Sequence, residues 1–294
     1  MGATRVFSQA YKTWYNHTHQ KGDALFLALS AAIRACETAH GKTETMMENM
    51  TSPIADITEE AVRVLDAANA EQISLRLLGG LAIYLQAPSA RTHEQLKRTY
   101  KDLDFVTVSK YTGKVKTLFA KLGYSANKNF NALHGHQRLL FWDEEHGRQV
   151  DIFVDKMQMC HTIDFRSRLN IDERTLSLAD LMLTKLQIVE LNEKDILDVM
   201  ALFIDFDVEG SEKGINSAYI AGLIANDWGL HKTLDINLKK MRAFAEERQF
   251  PPYVAERIQQ LITDMEKRPK SFSWKTRAMV GERVRWYELP EEPR

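Results

Sequence analysis

Three aspartates and a glycine pair are the residues of this 294-residue chain whose types and spacing could do chemistry. Asp102 and Asp104 stand two apart in Asp102-Leu-Asp-Phe-Val-Thr-Val108, a stretch that reads as a strand. Successive strand side chains point to opposite faces, so both carboxylates project from one side. Hard oxygen ligands of this kind suit Mg2+, which also takes ligands from substrate phosphates. A solvated sheet face is the competing reading. Asp151 is the only acid in Val150-Asp-Ile-Phe-Val154. A buried acid without a partner is costly, so it should face a polar site. If the two strands are neighbours, three carboxylates meet on one sheet and repel one another unless cations bind. That is the arrangement used for two-metal phosphoryl transfer. Gly79-Gly80 falls where an apolar strand turns into a helix. Lacking Cβ atoms, such a turn can bring backbone amides close to a phosphate at the helix N-terminus. A turn that only needs positive φ is the plainer reading.

The elements that must position these residues follow from periodicity. Residues 57–68 form an amphipathic helix with Thr58 as its expected N-cap. Residues 73–78 alternate as a strand, and 81–86 start a helix that stops near Pro88. Residues 89–101 are polar and basic and read as a loop. A helix is expected over 114–122. Strands over 138–142 and 149–154 flank the turn 143–147 and make a hairpin. From Leu176 onward the period is helical. Leu178, Leu181, Met182, Leu186 and Val189 form one stripe, and Ile196, Leu197, Met200, Phe203 and Ile204 form another. Further helices are expected over about 216–227, 233–247 and 252–266, the last opened by Pro251-Pro252. The sequence thus reads as an α/β (α+β) chain: a helical extension over 1–50, a small mixed sheet flanked by helices over 51–170, and a helical C-terminal domain over 171–294.

Composition excludes several function classes. The 39 basic and 40 acidic residues give a net charge of −1, so no polyelectrolyte partner is announced by overall charge. Cys36 and Cys160 are far apart and show no CxxC spacing, which argues against a disulfide scaffold or a cysteine-rich zinc site. The apolar run 24–33 is far shorter than the ~18–20 residues of a membrane span. No signal-peptide stretch opens the sequence, and a cytoplasmic protein is expected. His134-Gly-His136 has no ligand partners at zinc spacing and reads as a polar loop or hairpin edge. Near the C-terminus Lys267, Arg268, Lys270, Lys275, Arg277, Arg283 and Arg285 surround Phe272, Trp274, Trp286 and Tyr287. That pattern could bind nucleic acid, but an arm whose aromatics pack on the domain is favoured. Trp142 is expected in the core.

Gly79-Gly80, Arg98-Thr-Tyr-Lys-Asp-Leu-Asp-Phe105 and Val150-Asp-Ile-Phe153 together resemble the nucleotidyltransferase superfamily, whose fold is that of the DNA polymerase beta palm. The resemblance spans about residues 57–205. Asp180-Leu-Met-Leu-Thr-Lys185 followed by Glu193-Lys-Asp-Ile-Leu-Asp-Val-Met-Ala-Leu202 resembles the AbiEii/AbiGii-type branch, a neighbourhood shared with aminoglycoside nucleotidyltransferases. The resemblance implies that Asp102, Asp104 and Asp151 are the metal-binding catalytic carboxylates, the last orienting or deprotonating an acceptor hydroxyl. It implies that Gly79, Gly80 and Lys185 hold a nucleoside triphosphate, with Asp195 a further site residue and Mg2+ or Mn2+ as cofactor. Two departures stand out. Leu81 follows the glycines where many members have Ser or Thr, and Gly80 is unusually far from Asp102. The intervening loop carries Arg91, Lys97, Arg98 and Lys101, which fit either triphosphate binding or a solvated basic loop. Lys185 and Asp195 could equally be a plain salt bridge.

The expected activity is transfer of a nucleoside monophosphate from an NTP to an acceptor hydroxyl, with release of pyrophosphate. A small alcohol of the aminoglycoside kind, a tRNA end and a protein hydroxyl compete as acceptor. The alternatives are a non-catalytic nucleotide sensor of the same fold, or a toxin restrained by an antitoxin partner. No membrane partner is expected.

Overall fold

The structure, a computed structural model, describes residues 52–289. The helical extension expected over 1–50 lies outside the described residues, as does Cys36. Helix α1 (Ile57–Ala70) buries Ala61, Val64, Leu65 and Ala68 along one stripe. Its N-cap is Asp56 and not Thr58. The Asp56 carboxylate accepts the amides of Thr58 and Glu59 at 2.8 and 2.9 Å. A charged cap two residues upstream satisfies the free amides and complements the helix dipole.

Strand β1 (Leu75–Leu77) leads directly into helix α2 (Gly79–Gln86). The segment expected as a loop over 89–101 contains α3 (Ser89–Thr92) and a 3-10 turn over Glu94–Leu96, ahead of β2 (Leu103–Thr107). Its polar composition conceals three inward residues, Ser89, Ala90 and Leu96. The Ser89 amide also donates to the Asp205 carboxylate at 2.8 Å. Next come α4 (Thr112–Lys121), β3 (Ser125–Ala126) and α5 (Lys128–His134), the last two not expected from periodicity. His134 closes α5, and His136 lies in the turn before the hairpin of β4 (Arg138–Asp143) and β5 (Arg148–Val154).

The sheet runs β1-β2-β5-β4-β3, with β2 and β5 parallel and the other pairs antiparallel. Asp104 pairs in register with Asp151, and Asp151 with Leu140. Alternation therefore divides the sheet into two faces. One holds Leu103, Phe105, Val150, Ile152, Leu139 and Phe141, all buried. Phe119 of α4 seals it, 6.1 Å from the Phe105 ring and 4.8 Å from the Phe141 ring. The other face carries Asp104, Asp151, Arg138 and Trp142. Trp142 is 39% exposed, not core; Phe141 takes the inward position, and its neighbour must point the other way.

A small hairpin of β6 (Lys156–Gln158) and β7 (Thr162–Asp164) leads to the helical part. Helices α6 (Leu178–Leu186) and α7 (Glu193–Asp205) come first. The short pair β8 (Val208–Glu209) and β9 (Ile215–Asn216) precedes α8 (Ser217–Ile224), α9 (Trp228–Glu247), α10 (Pro252–Lys267) and α11 (Phe272–Val280). Ser177, Asn192, Asn216, Asp227 and Ser271 each cap the helix that follows with a side-chain oxygen. Buried residues form one continuous core from Phe105 and Ile152 through Leu181 to Met241 and Leu261. The chain is therefore α+β, with α2 packed against α6 and α7.

The C-terminal arm packs through its tryptophans. Trp274 meets His231 edge-on at 5.3 Å. Trp286 lies 6.1 Å from Trp228 and donates its indole N–H to the Thr233 hydroxyl at 3.1 Å. Phe272 instead points outward, 82% exposed. Among the described residues no helix is long and apolar enough to cross a membrane.

Candidate active site

The glycine pair is required by what lies beside it. Gly79 has φ +73°, and a Cβ there would come 2.7 Å from Asp104 Oδ2. The Leu78 amide donates to the Asp104 carbonyl at 2.9 Å, which ties the turn to β2. The start of α2 is thereby pressed against the Asp104 carboxylate. Leu78, the N-cap of α2, supplies no capping side-chain bond. The first-turn amides of α2 therefore lack a side-chain acceptor, the condition under which a helix start takes an anion. At Gly80 a Cβ would come 1.8 Å from Arg98 Nη2 and 2.9 Å from Asp198 Oδ2. The second glycine thus admits a guanidinium, which the sequence alone did not reveal.

That guanidinium belongs to a closed ion-pair network. Arg98 donates through Nε and Nη2 to both Asp198 oxygens at 2.8 Å and lies 4.2 Å from the Tyr100 ring centroid. Lys185 Nζ lies 2.9 Å from Asp195 Oδ1 and 3.0 Å from Asp198 Oδ2. Burial alone would lower the Lys185 ammonium, but Asp198 and Asp195 outweigh it and hold its pKa above the ordinary value. Two cations and two anions so balance beneath the glycine turn. Asp195 is placed there by its own helix start, since the Asn192 side chain accepts its amide at 3.1 Å. The Lys185–Asp195 salt bridge is therefore present, and Lys185 faces carboxylates.

On the sheet, the carboxylates crowd. Burial pushes the Asp104 carboxyl up to about 7, with Asp151 and Asp102 adding to the shift and Lys185 and Arg138 opposing it. Partial desolvation and the Asp151 charge also push Asp102 upward, while Lys101 and Lys194 pull the other way. Asp151 itself is 4% exposed and has a partner: Arg138 Nε and Nη2 engage its two oxygens side by side. Gln149 Nε2 adds a bond at 3.3 Å. The fork-to-fork pairing is the strongest geometry such ions adopt.

A hard divalent cation takes one or two protein carboxylates and completes its shell with water and phosphate oxygens. Asp102 and Asp104 meet that description; burial does most to raise their carboxyls, and the neighbouring Asp151 charge adds to it. A cage of three carboxylates is not ready-made. Among the described residues no three His, Cys, Asp or Glu side chains are gathered so as to hold a metal ion.

Of the residues singled out in the sequence, Gly79, Asp104 and Asp151 come together where the start of β2 pairs with the middle of β5. Asp102 and exposed Lys101 lie immediately ahead of β2. Gly80, Lys185 and Asp195 meet in the adjoining ion-pair network. Arg138 was missed, although the hairpin register contained the signal. With Asp143 opposite Arg148, Leu140 falls opposite Asp151, and Arg138 lies two residues away on the same face.

No family model and no curated protein matches the sequence. A comparison of structures aligns 55% of this chain with 90% of the antibiotic-resistance factor ANT(2'')-Ia, at 15% identity and a TM-score of 0.32. It aligns 77% of this chain with 97% of JHP933 from Helicobacter pylori, at 11% identity and a TM-score of 0.29. The functional reading therefore rests on this chain's own residues.

Proposed function

We propose that this chain is a metal-dependent nucleotidyltransferase. The observation that carries the reading is the register of Asp104 with Asp151 across parallel strands, beside a glycine turn whose helix start touches Asp104. In the proposed reaction the oxygen of an acceptor hydroxyl bonds to the α-phosphorus of an NTP. The bond from that phosphorus to the α,β-bridging oxygen breaks, pyrophosphate leaves with its electron pair, and the hydroxyl proton passes to solvent. The first amides of α2, from the Gly79-Gly80 turn, receive phosphate oxygens. Asp102 and Asp104 would hold Mg2+ or Mn2+, which when bound offsets phosphate charge. Asp151 lies on the same face, with both its oxygens engaged by Arg138. Lys101 lies beside Asp102 on the open side and is the cation better placed for the triphosphate tail. Lys185 and Asp195 brace the turn from beneath.

The acceptor is a small alcohol, a tRNA end or a protein hydroxyl. The engagement of Asp151 by Arg138 favours one rival, a nucleotide sensor without turnover. Pyrophosphate release from each NTP with Mg2+ or Mn2+, with and without a pool of tRNA and aminoglycosides, separates the two. Acceptor-dependent release is expected, falling more than about a hundredfold in Asp104→Asn, beyond the loss of an outer-sphere partner. Full activity in Asp104→Asn overturns the mechanism. NTP binding without release under any mixture supports the sensor. Growth inhibition by wild type but not Asp104→Asn would point to a toxin and an antitoxin partner.

A further inference from the structure

Two-metal phosphoryl transfer needs carboxylates free to receive two ions. Here Asp151 is not free. It is buried, and both its oxygens face the Arg138 guanidinium. The pairing is built into the sheet. Arg138 opens β4 opposite Phe153, over whose ring it lies at 5.0 Å, one alternation step from the Leu140–Asp151 pair. The Phe153 ring supports the guanidinium, and Gln149 donates to the carboxylate. The Arg138 side chain keeps one-fifth of its exposure, so it also reaches the open face. A guanidinium carries a single permanent charge and cannot be deprotonated in a protein. Beside Asp104 it supplies positive charge at the place where an ion shared with Asp151 would supply it.

Resting on the nucleotidyltransferase reading, we propose that Arg138 substitutes for the second cation, so that the site operates with one divalent ion, at Asp102 and Asp104. The substitution gives Asp151 a role different from that of a ligand: it anchors Arg138 within reach of the α-phosphate region. Arg138 is then a direct contact of the transferring phosphate, and Asp151 its positioning residue.

The test counts ions. Full-length protein is mixed with one equivalent of a non-hydrolysable α,β-methylene NTP, and Mn2+ is titrated while free Mn2+ is read by electron paramagnetic resonance. Wild type is expected to bind one Mn2+ per chain in the ternary complex. Arg138→Gln, which removes the guanidinium from both Asp151 oxygens, is expected to bind two, and Arg138→Lys one. Two ions in wild type overturn the proposal, whatever the variants do. So does a count of one in Arg138→Gln when its circular dichroism and melting transition match wild type. Absence of both Mn2+ and analogue binding in wild type defeats the nucleotidyltransferase reading itself, and this inference falls with it.

Discussion

At the scale of single residues, the two glycines have different reasons to be glycine. Gly79 occupies a left-handed conformation against a carboxylate. Gly80 has an ordinary backbone and is constrained only by the Arg98–Asp198 ion pair that rests on it. Gly80→Ala should therefore act by displacing the end of the Arg98 side chain and leaving Asp198 short of a partner. In an Arg98→Ala background the same methyl group loses its closest contact and meets only Asp198 Oδ2, at 2.9 Å. A double-mutant cycle on denaturant midpoints is expected to show coupling of about 1–3 kcal/mol between positions 80 and 98. Additive effects would show that the glycine is there for another reason. Asp104, Asp151 and the glycines could be singled out in the sequence because an acid in an apolar strand and a paired glycine are anomalies. Arg98 and Arg138 could not, because an arginine in a polar loop or at a strand's first position is ordinary. Their importance lies in partners about a hundred positions away for Arg98 and across a hairpin for Arg138.

At the scale of elements, α7 does two jobs with one helix start. The Asn192 cap fixes the first turn, and the first turn carries Asp195 to Lys185. Asp198, one turn on, joins Lys185 to Arg98. Asn192→Ala should cost about 1 kcal/mol, the ordinary value of a lost cap. Asp198→Ala should cost about 3–5 kcal/mol, because it leaves the half-buried Arg98 without its carboxylate and Lys185 with Asp195 alone. Urea unfolding of the two variants checks the ranking, and equal losses would show that the network is not coupled. The longer helices and the hairpin were legible because their periodicity spans several turns or a full alternation. The short elements were not. Nothing in the pattern of 89–101 separates three inward residues from a solvated loop, and β3, α5 and β6 to β9 are too short to show a period. The Thr58 cap failed for a related reason: an aspartate two residues earlier competes for the same amides and wins on charge.

At the scale of the whole molecule, stability should carry a pH signature remote from the carboxylates. His161 is buried near Thr233, its Nε2 2.8 Å from the hydroxyl, and burial holds its pKa below the ordinary value against the pull of Asp227 and Glu288. Burial lowers His231 as well, beside Lys270. In both cases the unfolded chain takes up a proton that the folded chain resists. Stability is thus fully present above the unfolded value of about 6.5 and is lost as pH falls from there through the lower folded value. The raised Asp104 carboxyl works in the opposite sense over the same range, so the histidine share is read as the difference between wild type and variant in urea midpoints at pH 8 and pH 5. His161→Gln should lose less stability than wild type on going to pH 5, with the His231 share still present. An unchanged difference in that variant would remove His161 from the account.

The parallel pairing of β2 with β5 has a consequence in time. The β4–β5 hairpin closes through a short turn and can form from local contacts. β2 can join only by closing a loop of about fifty residues, the kind of non-local contact that slows folding. Arg138 and Asp151 are therefore local partners within the hairpin, while Asp104 is a distant one. In refolding, loop lengths alone favour an order in which the guanidinium meets Asp151 before Asp104 is drawn alongside.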